Sequence, residues 1–221
     1  MLHLGKHNPR RNYKIFGTDI EKTSTMRDLG YFVNESLNFT DHCKKICRLA
    51  KRRTFNIFKT LKVKKQEVLV KLYKTYVRPI VESGCTVFNS DRGSVKSLES
   101  VQNDFTRKLF MRKGGYTYCR VPSSEIRNRI LGLKSLLSRR DNFDLLMVHK
   151  IVTGQIRLKS SDFYSFSQSK TRGTSSKLSF PIPKSKLRQQ FFSVRAGSKY
   201  LKLSKKKSLP FSVASFKRFI S

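Results

Sequence analysis

The residues best suited to metal chemistry are a histidine and two cysteines close together, His42, Cys43 and Cys47. Structural zinc usually takes four ligands supplied in pairs, and the other two cysteines, Cys85 and Cys119, have no candidate ligand beside them. Cys43 and Cys47 are instead four residues apart in an apolar stripe, which is the spacing of one helix face. They are predicted to be small core residues, and no cofactor is predicted.

Paired carboxylates, which hold the metal ions of phosphoryl-transfer enzymes, are equally sparse, because no two acidic residues are adjacent. Asp19 and Glu21 lie on a predicted hairpin, where a solvated edge is favoured. Asp141 and Asp144 directly follow the arginine pair 139–140, so structural ion pairs are predicted. The sequence contains no Gly-x-Ser-x-Gly elbow and no phosphate-binding Gly-Lys-Ser/Thr loop. No catalytic residue is predicted.

Basic side chains form the strongest candidate for a binding site. A helix is predicted from an N-cap at Thr40 to about Leu61, with its apolar stripe inward. Its outward face carries almost no acid and presents Lys59 together with the five predicted phosphate contacts, Lys44, Lys45, Arg48, Lys51 and Arg52. Ordinary solvated faces mix both signs, so contact with nucleic-acid phosphates is favoured over a merely solvated face. Three residues of a later helix fit either interpretation equally: Arg107, Lys108 and Arg112.

The elements that must position these residues are mostly helices. The start of the chain predicts a hairpin at 13–20 and a further strand at 28–33. Apolar residues at three- and four-residue steps then predict helices over about 40–61, 66–78, 94–112 and 123–152. Pro79 is predicted to end or kink the second helix, Gly132 to break the last one, and Gly154 to stop it. Tyr73 and Tyr76 are predicted to face the core rather than to stack on bases.

Charge and composition set the class of partner. The 221 residues carry 48 Lys and Arg against 14 Asp and Glu, a formal net charge of +34. Such a surplus repels itself, and a bound polyanion relieves the repulsion. From residue 155 onward there are 16 Lys or Arg and 16 Ser but a single acid, Asp162. A basic, poorly packed and partly disordered tail is therefore predicted, and the run 205–207 fits nuclear import, RNA contact or plain solvation.

These observations predict a mainly α fold, a helical bundle with a small N-terminal β element. Three segments are expected: the β element at 1–36, the helical domain at 37–154 and the basic tail at 155–221. The sequence has no apolar run long enough to span a bilayer and no secretory signal. An intracellular location is expected, in either the nucleus or the cytoplasm.

Several short motifs, in order along the chain, resemble the post-catalytic region of non-LTR retrotransposon reverse transcriptases of the LINE or jockey type. The motifs are RDLG at 27–30, LNFTDH at 37–42, LYKTYVRPIVE at 72–82, ESVQNDFTR at 99–107, LGLKSL at 131–136 and FFSVR at 191–195. One departure is the family's WN-x-LP near the end, because this chain has no Trp. The resemblance covers nearly the whole chain.

The resemblance implies the end of a palm with its primer grip at 1–36, followed by a helical thumb and connection. The family's paired-carboxylate hairpin would precede residue 1, so the chain is expected to be a fragment and not an enzyme on its own. Any Mg²⁺ would belong to that missing palm. The implied partners are RNA or RNA–DNA hybrid, bound without sequence preference, and the remainder of a retroelement polymerase.

Two other classes of function remain open on the sequence alone. A host RNA-bound structural protein, such as a ribosome-associated factor, would share the basic composition, although not the ordered motifs. A peripheral membrane protein would use basic amphipathic helices, but such helices generally carry Trp-type anchors, and Trp is absent here.

Overall fold

The computed structural model describes residues 1–5, 8–88, 92–167, 177–180, 183–206 and 208–220. The fold is mainly α with a small N-terminal β element, which confirms the predicted class. The chain forms two compact units, one of Met1–Ser83 with Ser90–Lys134 and one of Gly84–Asn89 with Ser135–Ser221. No helix in the described ranges is long and apolar enough to cross a membrane.

Two antiparallel hairpins open unit 1. Their turns are built alike, because Phe16–Gly17 and Leu29–Gly30 all have positive φ, the backbone of a tight hairpin turn. The hairpin predicted at 13–20 is confirmed. The strand predicted at 28–33 is confirmed over 31–33, but its start is wrong, since the chain reverses at Leu29–Gly30. The four strands are β1 (Lys14–Ile15), β2 (Thr18–Asp19), β3 (Thr25–Asp28) and β4 (Tyr31–Asn34).

Helices make up the rest of unit 1. The longest two, α1 and α4, pack against each other, and α1 also packs against α3. The first residue of α1 is Thr40, preceded by Phe39 and without a side-chain cap, so the N-cap predicted at Thr40 was one residue off. The elements are α1 (Thr40–Thr60), α2 (Gln66–Leu72), a π turn (Tyr73–Val77), α3 (Arg78–Glu82), α4 (Arg92–Lys113), a 3₁₀ turn (Tyr118–Arg120) and α5 (Ser124–Ile130).

A wide turn joins α2 to α3. The buried residues of this region, Leu69, Tyr73, Val77 and Val81, recur every four residues. In a regular α-helix that spacing advances by about 40° around the axis at each step, so the stripe would rotate out of the core. A π turn, closed by the Arg78 N–H bonding the Tyr73 carbonyl five residues back, takes up the extra residue. The stripe therefore stays on one side.

The wide turn changes the outcome of two predictions. Pro79 is the second residue of α3 and does not end the helical segment, which continues to Glu82. A proline ring crowds the carbonyl four residues earlier, and widening the turn relieves that crowding. Tyr76, predicted to face the core, is 58% exposed, since the wide turn rotates it further from the buried stripe.

Serine caps and glycine ends set the boundaries of α5 and α6. Ser123 and Ser135 each accept a hydrogen bond from the backbone N–H three residues on. Gly132 and Gly154 follow the two helices with positive φ of 58° and 68°, which a residue with a Cβ rarely adopts. The predicted break and stop at these glycines are confirmed.

Unit 2 is built on α6 with the segment that follows it. Val148 and Ile151 of α6 pack with Tyr200 and Phe216 in one buried cluster. The described part of the tail is therefore packed more fully than predicted, and the boundary predicted at Gly154 falls inside this unit. Part of the predicted run 205–207, Lys207, lies outside the described residues. The elements are α6 (Leu136–Val152), a 3₁₀ turn (Ser160–Asp162), β5 (Ser165–Ser167), β6 (Lys177–Ser179), α7 (Lys186–Gln189), α8 (Phe192–Lys206) and α9 (Val213–Ile220).

A buried ion pair ties α8 to α6. The Arg195 guanidinium donates to both carboxylate oxygens of Asp144, at 2.9 and 3.0 Å. It also donates to the backbone carbonyls of Cys85, Thr86 and Gln190. Structural pairing of Asp144 was predicted, but with the adjacent arginines rather than with a residue of α8.

The other predicted members of that acid and arginine group also find partners within unit 2. Asp141 accepts from Lys199 at 2.5 Å. Arg140 donates to the Phe88 carbonyl, and Arg139 lies over the Phe143 ring. Adjacency in sequence therefore misassigned the partners of the two carboxylates, because Asp144 and Asp141 pair with Arg195 and Lys199 of α8, which lie 51 and 58 residues further along the chain.

His149 is a buried histidine in the core of unit 2. Its ring stacks on Phe216 at 4.0 Å, while Nε2 donates to the Phe211 carbonyl and Nδ1 accepts from the Tyr200 hydroxyl, both at 3.0 Å. Burial lowers the pKa of His149, against a smaller opposing effect of the Phe211 hydrogen bond. Burial also raises the pKa of Tyr200 to about 12, so that hydroxyl stays a donor.

Acid is expected to destabilise unit 2 through this histidine. The pKa of an unfolded-chain histidine, about 6.5, is higher than in the folded state, so its contribution is present above about pH 6.5 and is lost as pH falls towards the folded pKa. The melting temperature should fall more between about pH 7 and about pH 5 for the natural chain than for His149→Gln, whose amide offers a donor and an acceptor without titrating. Parallel losses in the two proteins would contradict this role.

Candidate nucleic-acid interface

Helix α1 has a buried side and a basic side. The buried side holds Cys43, Cys47, Ala50 and Thr54, so the prediction that both cysteines are core residues is confirmed. Among the described residues, no group of three or more His, Cys, Asp or Glu is placed to hold a metal ion. The five basic residues predicted on the outward side are all exposed: Lys44, Lys45, Arg48, Lys51 and Arg52.

Ion pairs divide these five residues into two groups. Lys44 lies 3.5 Å from Asp41, and Lys51 lies 3.1 Å from Asp104 of α4, so each has a carboxylate partner. Within the part of the chain that the structure describes, Arg48 has no hydrogen bond or ion pair. The same holds for Arg52, which lies one turn further along α1, and their charges are therefore not neutralised within unit 1.

Lys45 lies at the edge of the interface. Its Nζ is 3.8 Å from the centre of the Phe32 ring of β4, while the side chain stays exposed. Lys45, Arg52 and Lys59 are seven residues apart, so they fall on nearly one line along the helix. At 1.5 Å per residue, this line extends for about 21 Å. We call Lys45, Arg48, Arg52 and Lys59 the α1 basic stripe.

The predicted residues of α4 are mostly engaged elsewhere. Arg112 donates to the backbone carbonyls of Phe58 and Leu61 and thereby satisfies the end of α1. Its guanidinium also lies 4.8 Å from the centre of the Phe58 ring. Arg112 is therefore a structural residue, which is neither the phosphate contact nor the solvated side chain that the sequence left open.

Of the other two predicted residues of α4, Arg107 contacts a tyrosine and Lys108 is exposed. Arg107 donates to the Tyr118 hydroxyl at 2.8 Å and lies 4.8 Å from the centre of that ring. Lys108 is exposed. The buried Arg127 lies close to this group: burial lowers its pKa, and the charge of Arg107 lowers it further. Among the described residues, Arg127 donates to three neutral oxygens: Thr106 Oγ1 and the carbonyls of Asn103 and Pro122.

Two exposed residues of the interface were missed by the site prediction. Lys59 was placed on the polar side of the helix but left out of the site, although its spacing from Arg52 sets it on the stripe. Phe55 was not considered, because an aromatic residue in a predicted helix is usually read as core. The sequence did contain a signal that Phe55 is exposed. Phe55 comes one residue after Thr54, which is buried, and is therefore turned about 100° around the helix from it. Phe55 is 54% exposed.

Comparison with known proteins leaves the family of the chain open. No protein-family model matches, and no solved structure matches. A curated relative, the uncharacterized protein B0403.1 of Caenorhabditis elegans, is 26% identical over 133 residues, which cover 59% of this chain and 64% of that protein. The chain therefore spans less than two thirds of the length of the relative it matches.

Proposed function

We propose that the chain binds RNA or an RNA–DNA hybrid through the phosphate backbone, with little dependence on sequence. The observation that carries the proposal is the α1 basic stripe, in which Arg48 and Arg52 are exposed and unneutralised by the described residues. The one acid of α1, Asp41, lies in its first turn beside Lys44. Phosphate contacts of this kind fix position without reading bases.

The charge of the whole chain supports the same partner. A net charge of +34 creates a field that attracts polyanions and accelerates their association. The stripe, about 21 Å long, runs past roughly six phosphates of one strand at 3.4 Å each. A straight helix and a curved duplex diverge, so roughly three to five contacts are expected from this face.

A second part of the proposal concerns the evolutionary origin of the chain. The motifs that resemble non-LTR reverse transcriptases include LYKTYVRPIVE at 72–82 and ESVQNDFTR at 99–107, and in the fold these supply Tyr73, Gln102 and Phe105 to the buried interior of unit 1. We propose that the chain is the thumb-like remainder of such a polymerase, without a catalytic role of its own. The RNA-binding role stands on the exposed charges and does not depend on this ancestry.

The salt dependence of binding tests the stripe directly. Replacing Arg48 and Arg52 together by glutamine should reduce the slope of log K against log salt by about 1.5, since each lost phosphate contact removes about 0.7 to 0.9. The matched control, Lys44→Gln with Lys51→Gln, removes the same charge from residues that already have carboxylate partners. A smaller change in slope is expected there, measured by fluorescence anisotropy with a labelled hybrid duplex.

Helicity should hold in both double variants, because all four side chains are exposed, and circular dichroism checks this. Equal changes in slope would show that only total charge matters and would contradict the stripe. A third variant, Lys205→Gln with Lys206→Gln, tests the basic end of α8. A larger loss there would place the interface in unit 2. Preferential binding to anionic vesicles in competition with RNA would favour a membrane surface instead.

A further inference from the structure

Phe55 is an apolar ring set among the charges of the α1 basic stripe. It follows Arg52 by three residues and precedes Lys59 by four, which places all three on neighbouring positions of one face. The Lys59 Nζ lies 5.8 Å from the centre of the ring. Across the described residues Phe55 has no other ring contact or cation contact, and more than half of it faces solvent.

An exposed ring flanked by cations has the chemistry of a base-stacking platform. Proteins that bind single strands combine cations that follow the backbone with aromatic rings on which bases stack. A base inside a duplex already stacks on its neighbours and presents only its edges, so it cannot cover Phe55. An unpaired base presents its face, while Arg52 and Lys59 are placed to contact the phosphates on either side of it.

We propose that Phe55 stacks on an unpaired base, and that the preferred ligand of the stripe is RNA or DNA with single-stranded nucleotides rather than a fully paired duplex. This inference rests on the proposed function and names the substrate class of the same interface. Because every base has a π face, the contact preserves the tolerance of sequence proposed above.

The absence of tryptophan from the sequence makes the proposal directly measurable. Phe55→Trp creates the sole indole, whose fluorescence should be quenched by oligouridylate and left nearly unchanged by the same oligonucleotide in a blunt duplex. Phe211→Trp is the matched control, because Phe211 is 75% exposed and belongs to unit 2 rather than to the α1 basic stripe. Its indole should respond to neither ligand.

Affinity provides the second measurement. Phe55→Ala should weaken binding of the single strand by about 5- to 150-fold, the range found for loss of one stacked base. Phe55→Leu should lose as much, because it keeps apolar bulk but has no ring. Duplex affinity and the salt slope should stay as in the natural chain, since no phosphate contact is removed.

Different results would contradict the proposed nucleic-acid binding and the proposed stacking role of Phe55. If the natural chain binds no nucleic acid in a salt-dependent way, the proposed function falls and the stacking role falls with it. If salt-dependent binding persists while the indole at position 55 is not quenched, only the stacking role is overturned. An equal loss of single-strand and duplex affinity in Phe55→Ala, or full affinity in Phe55→Leu, overturns it as well.

Discussion

Replacing Arg195 by methionine is expected to lower the free energy of unfolding by about 3–5 kcal/mol. The guanidinium is buried and donates to both oxygens of Asp144. Methionine fills similar space but leaves a buried carboxylate without its cation. Three backbone carbonyls also lose their donor, those of Cys85, Thr86 and Gln190. Such groups cost most when they are left unpaired away from water.

Urea unfolding followed by circular dichroism measures this loss. Adding Asp144→Leu to Arg195→Met should recover part of it, because the isolated charge is then gone. The matched control is Lys199→Met, which removes the cation of the more exposed pair with Asp141 and should cost less than about 1 kcal/mol. Equal losses in Arg195→Met and Lys199→Met would show that burial does not govern the strength of these pairs.

Tyr73→Ala is expected to destabilise unit 1 by about 3–5 kcal/mol, the range for removing a buried aromatic side chain. Tyr73 is fully buried and stacks on Phe105 with ring centres 4.4 Å apart. Its hydroxyl donates to Gln102 Oε1 at 2.9 Å, and Gln102 Nε2 donates to the Lys134 carbonyl at 3.1 Å. Alanine would therefore leave a cavity beside an unpaired amide oxygen.

Two further variants separate the ring from the hydroxyl in the same urea measurement. Tyr73→Phe keeps the stacking and loses one hydrogen bond, so a loss of about 1–2 kcal/mol is expected. Tyr76→Ala, three residues further on, removes an exposed ring and should change stability by less than about 0.5 kcal/mol. A loss in Tyr76→Ala as large as that in Tyr73→Ala would refute the orientation given by the wide turn.

Local patterns predicted the helices well. The stripes through Cys43, Cys47 and Ala50 and through Leu98, Val101 and Phe105 do face the interior, because a three- and four-residue spacing depends only on helix geometry. Glycines at 132 and 154 end helices for a reason that is also local, their positive φ. The predicted basic residues of α1 are exposed for the same reason, since they lie opposite its stripe.

Partners that are distant in sequence could not be predicted in this way. Asp144 and Arg195 are 51 residues apart, and no local pattern pairs them. Arg112 looks like any other basic residue until the fold brings the end of α1 within its reach. The prediction that Tyr76 faces the core was wrong because the spacing rule assumes a regular α-helix, whereas Tyr76 lies within the π turn.

Four of the six motifs that carry the resemblance each supply more than one buried residue to the core. Tyr73, Val77, Gln102, Phe105 and Arg195 all belong to them, and all are buried. Such positions are constrained by packing and by hydrogen-bond satisfaction. The motif string thus bears on fold, while nucleic-acid binding has to be argued from the exposed charges of α1.

The wide turn between Tyr73 and Val77 also bears on how this segment tolerates changes in length. Loss of one codon, such as that for Thr75, would change the spacing of the buried residues from four-four-four to four-three-four. That spacing sums to 11 residues in about three turns, so a regular α-helix would keep the apolar stripe aligned, apart from renewed crowding at Pro79. The same loss within α1 would turn every later residue by about 100° and move its cations off their face. At the π turn, therefore, the chain can lose one residue while its buried residues stay aligned.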